Sequence, residues 1–282
     1  NNNDLTASGG TVALSTTAGS LGPVTDNNDG TYTATLTSST TVETATITGT
    51  LDLAAITDDA TVTFTPGAAS TATSTITAAP TSITADGAST STITVQLKDA
   101  NGNDLTSSGG AVVLATDAGS LSGVTDNTDG TYTATLTSST SVETATVTGT
   151  LDGSAITDNA TVDFTIGTAD PTTSTAVVPA GTAGQATTVT VTVRDAGNNK
   201  VSGEAANLAG SVTGANTAAL SAATEEADST YTMTYTPTAA GTDQVAITLN
   251  ATGISGSPYS SAVSPGAAST ATSTITAAPT SI

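Results

Sequence analysis

The sequence predicts an all-β protein, a tandem series of β-sandwiches strung as an elongated array. Three observations carry that expectation. Polar and apolar side chains alternate with a period of two, turn-forming clusters interrupt the alternation at sandwich spacing, and a unit of 100 residues repeats along the 282-residue chain.

The alternation is clearest between residues 84 and 166. Thr92-Ile93-Thr94-Val95-Gln96-Leu97-Lys98 puts its aliphatic residues on one face and its polar residues on the other. Tyr132, Ala134 and Leu136 alternate with threonines, as do Ala145, Val147, Gly149 and Leu151. Ala160, Val162 and Phe164 alternate with Thr161, Asp163 and Thr165. Strict alternation of this length specifies half-buried antiparallel strands, and threonine suits their solvent side because it is β-branched yet polar. Ser108-Gly109-Gly110, Asp126 to Gly130 and Leu151-Asp152-Gly153 supply the turns between strands. About seven short strands in roughly 100 residues is the content of an immunoglobulin-like sandwich. Aromatic residues make up only 2% of the chain, so each core must be thin.

Self-comparison sets the organisation. NNNDLTASGGTVALSTTAGSL at Asn1 returns as NGNDLTSSGGAVVLATDAGSL at Asn101, and the match runs without a gap to Gly67 and Gly167. PGAASTATSTITAAPTSI stands at residues 66–83 and again, unchanged, at 265–282. A diverged third unit shares the strand pattern, its TVTVTVRDAGNNKV paralleling STITVQLKDANGNDL of the second. The domains expected are therefore 1–66, a sandwich without its first strands, then 67–166 and 167–264 complete, and 265–282 as the opening strand of a further repeat. One reading of these ends is a window cut from a longer array. The rival is a protomer whose residues 267–282 complete a neighbour's sheet by strand addition.

The first two units resemble bacterial Ig-like (Big_1) domains of the invasin/intimin type. ITADGAST at 83–90, VQLKDANGNDL at 95–105, GSLSGVTDNTDGTYTATLTSS at 119–139 and ETATVTG at 143–149 carry the resemblance. The third unit is similar to a filamin-type Ig repeat through residues 229–263, with Tyr231, Tyr235, Pro237, Gly241 and the Gly256 to Tyr259 turn. These resemblances imply a cell-surface or extracellular location and a part in a bacterial adhesin or fibre.

Composition excludes much chemistry. The chain has no His, Cys or Trp, and its 24 acidic against three basic residues give a net charge of −21. Thiol chemistry, a Ser-His-Asp triad and a zinc finger are thereby absent. Three cations (Lys98, Arg194, Lys200) cannot neutralise a phosphate backbone, so no nucleic-acid partner is expected, and no apolar run is long enough to insert in a membrane. Asp58-Asp59 and Glu225-Glu226 are paired carboxylates, but adjacent strand positions face opposite sides and read as solvated surface, so no enzyme is expected. Asn159 and Asn250 open N-glycosylation patterns near chance frequency.

Calcium is the one cofactor the residues suggest. Asp99, Asn101 and Asn103 place oxygen ligands on alternate positions, with Asp104 beside them, as in the first half of an EF-hand loop whose second half does not follow. The same stretch suits an ordinary turn. Asp126 and Asp129, with Asp26 and Asp29 in the first unit, are weaker candidates. Asp58, Asp59, Asp158, Asp163 and Asp170 lie near the junctions, where a shared divalent ion would relieve repulsion.

Three functions follow as expectations. The chain is a stalk or spacer whose partners are its own neighbouring repeats; a subunit of a filament or sheath of identical chains joined through edge strands; or a ligand-binding module, with Tyr259 the best exposed aromatic.

Overall fold

The computed structural model describes residues 4–268, 270 and 273–276. Apart from one 3-10 turn at Ala205–Asn207, every regular element among them is a β-strand. The expected alternation is realised directly: Thr131–Thr137 and Ala160–Thr165 bury every second residue. The chain divides into two compact units. The first comprises Asn1–Thr81, Ser91–Leu136 and Ala145–Val162, and the second Ser82–Thr90, Thr137–Thr144 and Asp163–Ile282.

The second unit contains a whole sandwich. One sheet holds Thr175–Val177, Thr187–Thr192, Thr230–Tyr235 and Thr224–Glu225 in that order. The other runs Gly181–Thr182, Tyr259–Ser264, Gly241–Leu249, Leu208–Gly214 and Ala218–Ala219, with the short strand Thr252–Gly253 also on Gly241–Leu249. Their inward residues, among them Val189, Val191, Tyr231, Met233, Val245, Ile247 and Leu249, form one buried cluster. Apolar burial of this kind contributes about 25 cal/mol per Å² and drives the sheets together.

In the first unit, Val12–Thr16 pairs antiparallel with Thr44–Leu51, and Val112–Thr116 pairs with Glu143–Leu151 in the same register 100 residues later. A tyrosine ties each repeat internally. The Tyr132 hydroxyl donates to Gly110 O at 2.8 Å and accepts from Gly109 N at 3.1 Å. Tyr32 does the same with Gly10 and Gly9, and Tyr231 with Val201 and Glu204.

The 265–282 stretch anticipated as an opening strand is described only at 265–268, 270 and 273–276, none of it in a strand; its remaining residues lie outside the described set.

One turn differs between the first two repeats. Asp152-Gly153 closes a hairpin with both residues at positive φ, 49° and 82°, the type I′ geometry that favours Asp-Gly. The first repeat places Asp52-Leu53 there, and Leu53 sits at φ 72° with its side chain almost wholly in solvent. A left-handed conformation costs a residue with a Cβ roughly 1–2 kcal/mol, and Leu53 gains no packing in return. Leu53→Gly should therefore stabilise the chain by about 1 kcal/mol, and Gly153→Leu should destabilise it by a similar amount, both read as shifts of the urea midpoint.

Candidate functional site

The strongest polar arrangement lies where one sequence repeat hands over to the next. In the first unit the chain leaves Phe64, runs through Gly67 and Ala69, and bridges to Asp99 at the end of Thr90–Gln96. Asp99 is buried, and its carboxylate is filled by N–H donors. Its Oδ2 accepts from Gly67 N at 2.9 Å, and its Oδ1 accepts from Asn101 N at 2.9 Å and Asn103 N at 3.0 Å. The Asn103 amide adds bonds of 3.1 and 2.9 Å to the two oxygens. A carboxylate offers about four lone-pair sites, so this one is saturated. The same amide nitrogen also donates to Thr40 O of the first repeat at 2.9 Å.

The second unit builds the same hub from a different sequence. Asp195, also buried, accepts from Gly167 N at 2.8 Å and Asn199 N at 2.8 Å, and the Asn199 amide lies 3.2 Å from both oxygens. That amide donates onward to Ala85 O of the second repeat at 3.3 Å. The surroundings match: Ser74 and Ser174 are buried, and each hydroxyl bridges the strand end to the incoming chain. Gly102 (φ 85°) and Asn198 (φ 70°) occupy the same left-handed turn position, which explains why Gly and Asn are the residues found there.

The hydrogen bonds from Asn103 and from Gly67 N–H hold the Asp99 carboxyl down to about 2, against an ordinary value of 3.8. Asp86 is likewise lowered to about 2, mainly by the Ser89 N–H and then by that of Ala88.

The expected metal ligands are distributed as follows. Asp99 and Asn103 come together, but Asn103 presents its amide nitrogen. Asn101 contributes its main-chain N–H, and Asp104 pairs instead with Lys98. Asp126 accepts from Thr128 N at 2.8 Å; Asp129 accepts from the N–H and hydroxyl of Thr131 at 3.0 and 2.6 Å. Both carboxyls are lowered, Asp126 chiefly by the Ser108 hydroxyl and Asp129 by that of Thr131. Of the junction carboxylates, Asp158 accepts from Ile76 N, Asp163 from the Thr144 hydroxyl and Asp170 from Thr172, while Asp58 and Asp59 are exposed. Among the described residues no three Asp or Glu side chains converge. The Tyr259 hydroxyl is engaged inside its own repeat, accepting from Ala176 N at 3.0 Å and donating to Ser255 O.

Sequence reasoning singled out Asp99 and Asn103 but not Asp195, Asn199, Gly67 or Gly167. The parallel between RDAGNN and KDANGN was the available signal for Asp195 and Asn199. Nothing local marks Gly67 N–H or Thr40 O, because main-chain donors and acceptors leave no trace in a sequence.

The family model described as Invasin, domain 3 matches residues 1–67 and 70–167, and that described as Filamin/ABP280 repeat matches 168–260. Among solved structures, the Escherichia coli adhesin FdeC is 26% identical over 93% of this chain and 88% of its own, with a TM-score of 0.62. Invasin, a bacterial integrin-binding protein, is 29% identical over 90% of this chain with a TM-score of 0.53. The chain spans only 52% of that invasin structure.

Two outcomes follow. Asp99 has a folded-state pKa below its ordinary value, so its contribution to stability is complete above about pH 4 and disappears as the pH falls toward 2. The melting temperature of Asp99→Asn should therefore lie below that of the unaltered chain at pH 7 and converge with it near pH 2. Because the hub oxygens already face N–H groups, EDTA should leave the melting temperature unchanged; a drop of several degrees would put an ion at the joint.

Proposed function

Since the chain belongs to the invasin domain 3 family through its first two repeats, we propose that it is a spacer segment of a bacterial surface adhesin, a stalk whose function is to hold its repeats in fixed succession. Its relatives are cell-surface adhesins built from tandem Ig-like modules, in families that are structural rather than enzymatic. We place this chain outside the cell with them, its working partners the neighbouring repeats of its own polypeptide. The beads of the stalk, on this reading, are 67–166 and 167–264, preceded by 1–66.

One observation carries the proposal: the buried Asp–Asn hub recurs at both hand-overs. A spacer transmits position only if its joints resist bending, and here the buried carboxylate fixes the amide that crosses to the preceding repeat, Asn103 to Thr40 O and Asn199 to Ala85 O. Losing one such hydrogen bond to water costs about 0.5–1.5 kcal/mol per joint. The acidity suits an exposed stalk, since a net charge of −21 keeps neighbouring copies apart.

The test is small-angle scattering on the chain and on the double variant Asp99→Ala, Asp195→Ala. Relative to the unaltered chain, the variant should gain the scattering signature of more flexibly linked beads while keeping its β circular-dichroism spectrum. Identical scattering curves would remove the hubs from the account. Micromolar binding of the soluble chain to an integrin would replace the spacer with a ligand-binding module.

A further inference from the structure

The chain carries three basic side chains among 282 residues, and all three sit in the two hub hairpins. Lys98 directly precedes Asp99, Arg194 directly precedes Asp195, and Lys200 directly follows Asn199. The connections 66–73 and 166–173, surface loops of the kind that proteases ordinarily nick, contain no basic residue.

The peptide bond after each cation is held in place. The N–H of Asp99 donates to Asn103 O at 2.9 Å, that of Asp195 to Asn199 O at 2.9 Å, and that of Val201 to Val193 O at 3.0 Å. Asp99, Asp195 and Val201 are all buried. At both hubs the carbonyl ahead of the bond is engaged as well: Lys98 O accepts from Ser70 N at 2.8 Å and Arg194 O from Asp170 N at 2.7 Å. The cations are themselves tied down, Lys98 to Asp104, Arg194 to Asn198 O at 2.7 Å and Lys200 to Asp228 O at 3.0 Å.

A serine endoprotease that cuts after Lys or Arg needs the opposite state. It takes the basic side chain into a pocket and the carbonyl oxygen between N–H donors, and water finally adds across the broken C–N bond. Cutting after Lys98 would leave a carboxylate on Lys98 and an amine on Asp99.

We propose that the hubs double as latches against such proteases, so that the chain is cut in a hub hairpin only while that hub is open. The Asp99 carboxylate holds Asn103, which closes the turn, and Gly67, which leads the chain to Ser70. Without it, the partners of the Lys98 carbonyl and the Asp99 N–H are released together. Asp195 holds Asn199 and Gly167 in the same way, and Gly167 leads to Asp170. Cleavage therefore follows the open population of each hub separately.

The test is limited digestion of the full chain with trypsin, the cut sites being read from fragment masses. The unaltered chain should persist. Asp99→Ala should be cut after Lys98 at least roughly tenfold faster, with Arg194 still protected, and Asp195→Ala should show the reverse. If Asp99→Ala loses its β circular-dichroism spectrum, Asn103→Ala should accelerate the same cut with the carboxylate still present. Ser107→Lys, which puts a cation on an exposed residue outside the turn, should be cut quickly in the otherwise unaltered chain. Hub variants cut no faster than the unaltered chain, or equal resistance at Ser107→Lys, overturn the proposal, because protection then does not come from the hubs. Rapid cutting of the unaltered chain after Lys98 or Arg194 overturns it too. The cleavage pattern does not depend on the chain being a spacer, so this experiment and the scattering experiment fail separately.

Discussion

A shortage of positive charge shapes this protein. Twenty-four acidic side chains face three basic ones, so a carboxylate drawn into the structure cannot be neutralised by a partner cation. It must be held by neutral N–H and O–H donors, and Asp86, Asp99, Asp195 and Asp243 are all held in that way. Such bonds to an ionised acceptor are stronger than neutral ones, and they are satisfied only where loop backbone is folded to aim its N–H groups inward. The tight turns at 99–103 and 195–199 and the close approach of Gly67 and Gly167 all answer that requirement.

Much of the fold was legible because a period of two is a local property. Residues alternating between Thr131 and Thr137 face alternately in and out whatever surrounds them. The turns were legible for the same reason, Asp152-Gly153 being a statement about backbone dihedrals. The joint was only half visible. Asp99 and Asn103 stood out as oxygen-bearing residues at alternate positions, a pattern shared by ion-binding loops and by turns that trap a carboxylate with amides. Deciding between those geometries needs to know which atoms face the carboxylate. One of them is the main-chain N–H of Gly67, 32 residues before Asp99, and the amide that faces the carboxylate is itself tied to a main-chain carbonyl 63 residues before it.

The two near-identical repeats separate what sequence dictates from what surroundings dictate. Val62 and Val162 occupy equivalent strand positions, yet only Val162 is buried. Alternation assigns a face, and closure of that face depends on which strands come to lie against it. Leu53 is the converse case, where the repeat imposes a left-handed backbone on a residue poorly suited to it.

Each hub sends one hydrogen bond into the preceding repeat, and in both cases it ends on a main-chain carbonyl: Thr40 C=O in one and Ala85 C=O in the other. A hydrogen bond that ends on a main-chain carbonyl imposes no co-variation on the residue supplying it. An invasin-type unit and a filamin-type unit can thus succeed one another with the same coupling, and copies can be gained, lost or shuffled by recombination without compensating substitutions elsewhere. A lineage with such a connector can change the number of its modules as freely as its genome can duplicate them.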